Sequence, residues 1–300
     1  MMKFYLKKKF NLNMKKEELF WGIVFVSPGF IFFIIFMLFP IILGFVLSFF
    51  RWDVIRPIRF VGLSNFIKMF TEDPKMGQVA TSTLIYIVEV IPASVIISLV
   101  FAILLTKIKK FRGFFQSIYF LPLIASTVAI SLVWRYVYSA NFGLLNSLLR
   151  FFLDENIDWL RDPRFALSAI SIIMIWKNIS FNIILFLAAV RNVPDQLYEA
   201  ARIDGCRELG LFKYITIAQI KPTIVLVTIL TIVTSFYNGF DIVRVLTKGG
   251  PLYKTSIYVY YIFEQGFDKL KIGYSSAISF IFFIIIAVFT IIQLQTQREE

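Results

Sequence analysis

The sequence predicts an all-α membrane protein with about six transmembrane helices. Three observations lead there. Six stretches are mostly apolar and reach the roughly 20 residues that a helix needs to cross a bilayer. Hydrophobic residues make up 58% of the 300 positions and charged residues only 17%, where a soluble domain carries about a quarter charged. None of the six stretches alternates apolar and polar residues as a barrel strand does.

The first stretch, about 20–50, follows a tail that holds Lys7, Lys8, Lys9, Lys15 and Lys16. It is about twice as long as the 7–15-residue apolar part of a cleaved signal and has no small-residue exit, so it is expected to stay as an anchor. Pro28 and Pro40 predict a kink or a tilt within it. The other spans are expected near 79–105, 115–138, 165–190, 223–243 and 274–294. These divide the chain into a tail (1–19), a first helix with its outer loop (20–75) and a main transmembrane domain (76–295), within which 191–222 is a polar loop.

Orientation follows from lysine and arginine near the span ends. The tail and the short link with Lys107, Lys109, Lys110 and Arg112 fall on one side, expected to be the cytoplasm. Six spans put the 191–222 loop and both termini there too. The net charge of +12 thus suits lipid headgroups and membrane orientation, and no nucleic-acid partner is expected.

The loop VPDQLYEAARIDGCRELGLFKYITIAQIKP (193–222) is polar but patterned. Pro194 suits a first helical turn, and Asp195 adds negative charge at the helix start. Leu197, Ala200 and Ala201 share one face by spacing. Gly205 sits where a helix ends in a left-handed residue. A second short helix, about 207–215, has Leu209 and Phe212 on one side. The expected shape is helix, turn, helix, and an amphipathic connector resting on headgroups fits that periodicity equally well.

Polar residues inside spans are costly and often functional. The fourth span holds Trp176, Lys177, Asn178 and Asn182; the fifth holds Asn238 and Asp241; the second holds Glu89. Trp176, Asn178, Asn182, Asn238 and Asp241 are candidates for a substrate pathway, since amides and aromatic rings suit a polar substrate. Hydrogen bonding between helices is the other reading for the amides, and ion pairing or structural support for Lys177 and Glu89.

Several chemistries are disfavoured. The chain has no histidine and one cysteine, Cys206, so neither a Cys/His metal cluster nor an intrachain disulfide can form. Gly205 and Gly210 mimic two P-loop glycines, but Leu211 and Phe212 stand where Lys and Ser/Thr are needed. No catalytic residue, cofactor or metal is expected in this chain, and of the enzyme classes only one working with carboxylates alone stays open on composition. A stand-alone secondary transporter and a non-transporting membrane scaffold stay open on the residues alone.

The string EAARIDG, with Phe212, Ile217 and Pro222 beyond it, resembles the EAA loop of binding-protein-dependent ABC importer permeases. FRGFFQSIYFLP (111–122), TKGGP (247–251), YVYYIFEQGF (258–267) and IGYSSAISF (272–280) are similar to the sugar-type subgroup, which includes the glycerol-3-phosphate, lactose and maltose permeases. One departure is Ala218, where the family usually has proline. The resemblance implies a type I importer permease fold that forms the pathway with a second homologous permease. It further implies two ATPase subunits carrying the ATP and magnesium, and an external solute-binding protein that delivers a sugar or polyol. It makes Glu199, Ala200, Ala201, Asp204 and Gly205 the ATPase-coupling residues.

Overall fold

The computed structural model describes residues 2–107, 112–151 and 156–298. Lys109, Lys110 and Phe111 of the basic link and the C-terminal Glu299 and Glu300 lie outside the described residues. Among the described residues five helices are long and apolar enough to cross a membrane, or six when a sharply bent pair is taken as one span.

The first span starts earlier than expected, because helix α1 (Met2–Phe33) runs back through the lysine tail. It passes through a π-helical turn (Ile34–Leu38) into α2 (Phe39–Leu47). Pro40 has no N–H to give the helix ladder, and at this point the Phe39 N–H reaches back five residues to the Ile34 carbonyl. The expected irregularity at Pro40 is thus a widened turn. A two-residue hairpin, β1 (Phe50–Arg51) paired with β2 (Arg59–Phe60), follows, then α3 (Ser64–Thr71). Asn65 ties this segment together, its amide donating to the carbonyls of Ser48 and Phe50 at 2.8 and 2.9 Å.

Helix α4 (Met76–Lys107) is the second span. The third differs from the sequence expectation of one unbroken helix. It is two helices, α5 (Arg112–Ile124) and α6 (Thr127–Val137), with axes 110° apart. Pro122 sits in the last turn of α5, and Ser126 is extended with φ −58° and ψ 135°. A short helix α7 (Leu144–Leu149) leads on to α8 (Ala166–Arg191), the fourth span.

Next come α9 (Asp195–Ile203) and α10 (Glu208–Gly210). A π-helical turn (Leu211–Thr216) then carries the chain into α11 (Ile217–Leu246). The fifth span therefore has no separate start: one helix runs from Glu208 to Leu246. A last pair, α12 (Tyr258–Phe263) and α13 (Ile272–Arg298), closes the chain.

Helix α8 is the centre of the bundle, packed on α4, α5 and α11. The main core joins Tyr86 and Val90 to Ile170, Ile173 and Met174, with Ile130, Ile242 and Val243 closing it. Gly239 permits a close approach in this core, since a Cβ there would meet the Tyr86 hydroxyl at 2.6 Å. That hydroxyl donates to the Ser235 carbonyl at 2.9 Å. A second core of Leu99, Phe186, Val193, Ile220 and Val227 lies at the end of the bundle that carries the 191–222 loop.

At the opposite end a polar network ties the connecting segments together. The Asp73 carboxylate accepts hydrogen bonds from the hydroxyls of Tyr261 and Tyr274 and from the Lys75 N–H. Burial alone pushes the Asp73 carboxyl up, but these bonds together with the Lys269 charge hold it below the ordinary carboxylate range. Lys75 donates to the Tyr253 hydroxyl, and Lys269 pairs with Glu264 at 3.0 Å.

Candidate functional site: the 191–222 loop and the polar seam

Helix α9 begins and ends as its residues dictate. Pro194 is its N-cap and Asp195 its first residue, where a negative charge meets the positive end of the helix dipole. Gly205 follows the C-cap Asp204 with φ +83°. Its N–H donates to the Arg202 carbonyl at 3.0 Å, and the Cys206 N–H donates to Ala201 at 2.9 Å. This is a Schellman turn, which frees the chain to start α10 at Glu208.

Helix α9 is held to the bundle through Val193 and Tyr198. Val193 is buried in the core beneath, and the Tyr198 hydroxyl bonds the Thr216 hydroxyl at 3.0 Å. Ala200, with Glu199, Asp204 and Gly205, faces outward, while Ala201 is half-buried. Two large apolar side chains stand at the tip: Ile203 is 86% exposed and Leu209 is 84% exposed. Arg202 and Glu208 face each other there at 3.4 Å. Behind the helix is a hollow of about 680 Å³ bounded by the end of α4, whose wall includes Glu199, Arg191 and Arg202.

The intramembrane candidates separate into two groups. Asn178 and Asn182 lie between α8 and α11 and are 4% and 2% exposed. The Asn178 amide donates to the Ser235 hydroxyl at 2.9 Å and its oxygen accepts from Thr234 at 3.1 Å. The Asn182 amide donates to the Thr231 hydroxyl at 2.9 Å. Both amides are thus engaged in bonds between helices. Trp176 is different: it is 38% exposed, and its ring meets Trp134 edge-on at 5.9 Å. Asn238 and Asp241 are half-buried, with the Asn238 oxygen accepting from the Thr127 hydroxyl at 2.8 Å.

Lys177 does something that the sequence did not suggest. Its ammonium donates to the carbonyls of Pro122 and Ala125, both at 3.1 Å. A cation therefore sits on the free carbonyls at the end of α5, where the helix dipole is negative. Glu89 accepts from the Ser168 hydroxyl at 2.7 Å. Its second carboxylate oxygen is buried with no partner among the described residues. No group of acidic, cysteine or histidine side chains with metal-binding geometry occurs among the described residues.

Comparison with known proteins gives this geometry a family. Residues 73–298 match the model of the binding-protein-dependent transport system inner membrane component family. The lactose transport system permease protein LacF of Rhizobium radiobacter is 31% identical over 300 residues, covering 98% of this chain and 97% of that protein. The probable ABC transporter permease protein YesP of Bacillus subtilis is 30% identical over 292 residues, covering 96% and 93%. Among solved structures, a bacterial alginate ABC transporter in complex with alginate pentasaccharide-bound periplasmic protein has a chain that matches with TM-score 0.80 at 20% identity, covering 96% of each chain. That match speaks for the fold, and the curated relatives speak for the family. The chain belongs to the binding-protein-dependent transport system inner membrane components, the permeases of ABC importers.

Proposed function

We propose that this permease carries a sugar or related polyol across the membrane and takes its energy from a separate ATPase docked on the 191–222 loop. The observation that carries this reading is the tip of that loop. Ile203 and Leu209 are nearly fully exposed beyond the apolar spans, on a knob made rigid by the Gly205 turn. Apolar side chains of this size outside the bilayer call for a protein cover. Glu199 and Asp204 add charge for a basic partner, and the small Ala200 and Ala201 let a partner surface approach closely. Two ATPase copies would bind the ATP and magnesium, one copy on this loop and one on the equivalent loop of a second permease.

The first helix supports that second permease. From Phe20 to Phe45 its large side chains are exposed, and α2 meets the rest of the chain mainly through α13. Both termini lie in the cytoplasm on this reading, as the lysine pattern implies. An external binding protein then faces the opposite, outer end. Trp176, Asn238 and Asp241 line the pathway, while Asn178 and Asn182 hold α8 and α11 in register behind it. The lactose permease relative supports a saccharide cargo.

The test is ATP-driven uptake in proteoliposomes that hold this chain with its partner permease and ATPase, supplied with the binding protein. Glu199→Ala and Gly205→Val are expected to lower uptake while the complex still assembles. Uptake by this chain alone, or uptake indifferent to both changes, defeats the proposal.

A further inference from the structure

The outer end of the bundle holds a second hollow, of about 680 Å³, that the coupling and pathway residues do not touch. Its size falls within the roughly 300–1,000 Å³ of small-molecule sites. Its floor is Tyr138, at the end of α6, and its rim brings together Asn141, Asp158, Arg161 and Thr247.

The walls are built, not loose. Asn146, buried on α7, donates to the carbonyls of Ala140 and Ile157 at 3.0 and 2.8 Å. Its oxygen accepts the Trp159 indole N–H at 2.8 Å. One side chain thus fixes the two loop strands that carry Asn141 and Asp158. The Arg150 guanidinium donates to the Asn141 carbonyl at 3.3 Å, and Arg135 donates to the Val245 carbonyl. On the far side Thr247 and Thr255 bond each other at 2.7 Å. Below, the Tyr138 hydroxyl is spent on the Ala169 carbonyl at 2.8 Å.

At the exposed rim of these walls stand two planar polar groups. Among the described residues neither the Asn141 amide nor the Arg161 guanidinium has a hydrogen-bond partner. The Asp158 carboxylate accepts only a long 3.3 Å bond, from the Arg161 N–H. An amide, a guanidinium and a carboxylate around one hollow match vicinal hydroxyl pairs, which need donors and acceptors side by side.

The floor also continues inward. Trp159, Tyr138, Trp134 and Trp176 follow one another with ring centroids 6.1, 5.1 and 5.9 Å apart. Aromatic faces are slightly negative, so the part-exposed Trp176 suits the C–H face of a sugar ring, while the buried Tyr138 packs the rings together. The ladder joins the hollow to the candidate pathway residue Trp176. A docking loop of the binding protein would have no use for it.

We propose that this hollow is an outer vestibule subsite that holds a neutral pyranose unit before the saccharide moves inward towards Trp176. The proposal rests on the saccharide-import reading and adds a place and a class to it. Asp158 offsets the Arg161 charge in the rim, and the Arg135 guanidinium is engaged by the Val245 carbonyl; a pyranose with free vicinal hydroxyls satisfies all three polar groups.

The experiment uses the complete importer in proteoliposomes and an Asn141→Cys variant, labelled from outside with a membrane-impermeant thiol reagent. Cys206 lies at the opposite end and stays out of reach. The probes are lactose, maltotriose, arabinotriose and a mannuronate trimer. A neutral probe that is taken up is expected to slow labelling several-fold without the binding protein. Asp158→Asn or Arg161→Gln, added to Asn141→Cys, is expected to raise the protecting concentration about tenfold, as the loss of about 1.4 kcal/mol would. Uptake of a neutral probe with no protection by it overturns the subsite. Protection by the binding protein alone overturns it in favour of a docking contact, and protection by the mannuronate trimer alone overturns the neutral class. Uptake failing for every probe removes the import reading and the subsite with it.

Discussion

Gly205 gives the sharpest test of the loop. Its φ of +83° lies where a residue with a side chain is strained, by about 1–2 kcal/mol. A Cβ placed there meets nothing within 4 Å, so Gly205→Ala costs backbone strain alone and leaves the packed bundle untouched. If the turn relaxes, the bonds from Gly205 to Arg202 and from Cys206 to Ala201 go with it, and α9 loses its fixed end. A penalty of 1–2 kcal/mol shifts a local equilibrium by about 5–30-fold. Asparagine tolerates this region better than alanine; a β-branched valine tolerates it worst. ATP-driven uptake is therefore expected to fall in the order Gly205, Gly205→Asn, Gly205→Ala, Gly205→Val. The same proteoliposomes should contain the same amount of assembled complex, measured by quantitative gel, and its thermal unfolding should be unchanged. Equal uptake for glycine and valine would refute the reasoning, as would asparagine falling as far as valine.

Three further outcomes follow from other parts of the molecule. Asn178→Ala combined with Ser235→Ala in a double-mutant cycle should give a coupling of about 0.6–2 kcal/mol in detergent unfolding, as expected for an interhelical bond in a membrane protein; a coupling near zero means that the bond is not made. Lys177→Met leaves the Pro122 and Ala125 carbonyls without their cation and should destabilise the bundle by about 1–3 kcal/mol, with broader spin-label distances across the α5–α6 bend, whereas Lys177→Arg keeps both; a Lys177→Met protein as stable and as narrow as the parent removes the cap. Asp73 has a lowered pKa, so it contributes stability above the unfolded value of about 3.9 and loses it as pH falls below that. The melting temperature of the parent should drop between about pH 5 and pH 3 more steeply than that of Asp73→Asn, and parallel curves would refute this.

The parts of the molecule that the sequence disclosed are those written in local chemistry. Proline before aspartate and a glycine after nine helical residues are enough to bound α9. Apolar length alone finds the spans. The break between α5 and α6 was hidden because hydropathy runs on through it. Pro122 was the available signal, and nothing nearby in sequence shows that Lys177, some 50 residues on, will meet the freed carbonyls. The partners of Asn178 and Asn182 were present as Thr231 and Ser235, four apart like the asparagines, so two i,i+4 rows on adjacent spans could have been matched. The outward turn of Ala200 depends on Tyr198 finding Thr216 across the next helix, and that is tertiary.

The continuous run of helix from Glu208 to Leu246, π-helical over Leu211–Thr216, has a mechanical consequence. Its 39 residues make a rod of about 58 Å at 1.5 Å per residue. One end starts beside the exposed Leu209; the other reaches Leu246 on the rim of the far hollow. A tilt of about 5° about one end would carry the other by about 5 Å, nearly a full helical turn. On the proposed coupling reading, a lever of this length would turn a small push on the knob into a larger displacement at the far hollow.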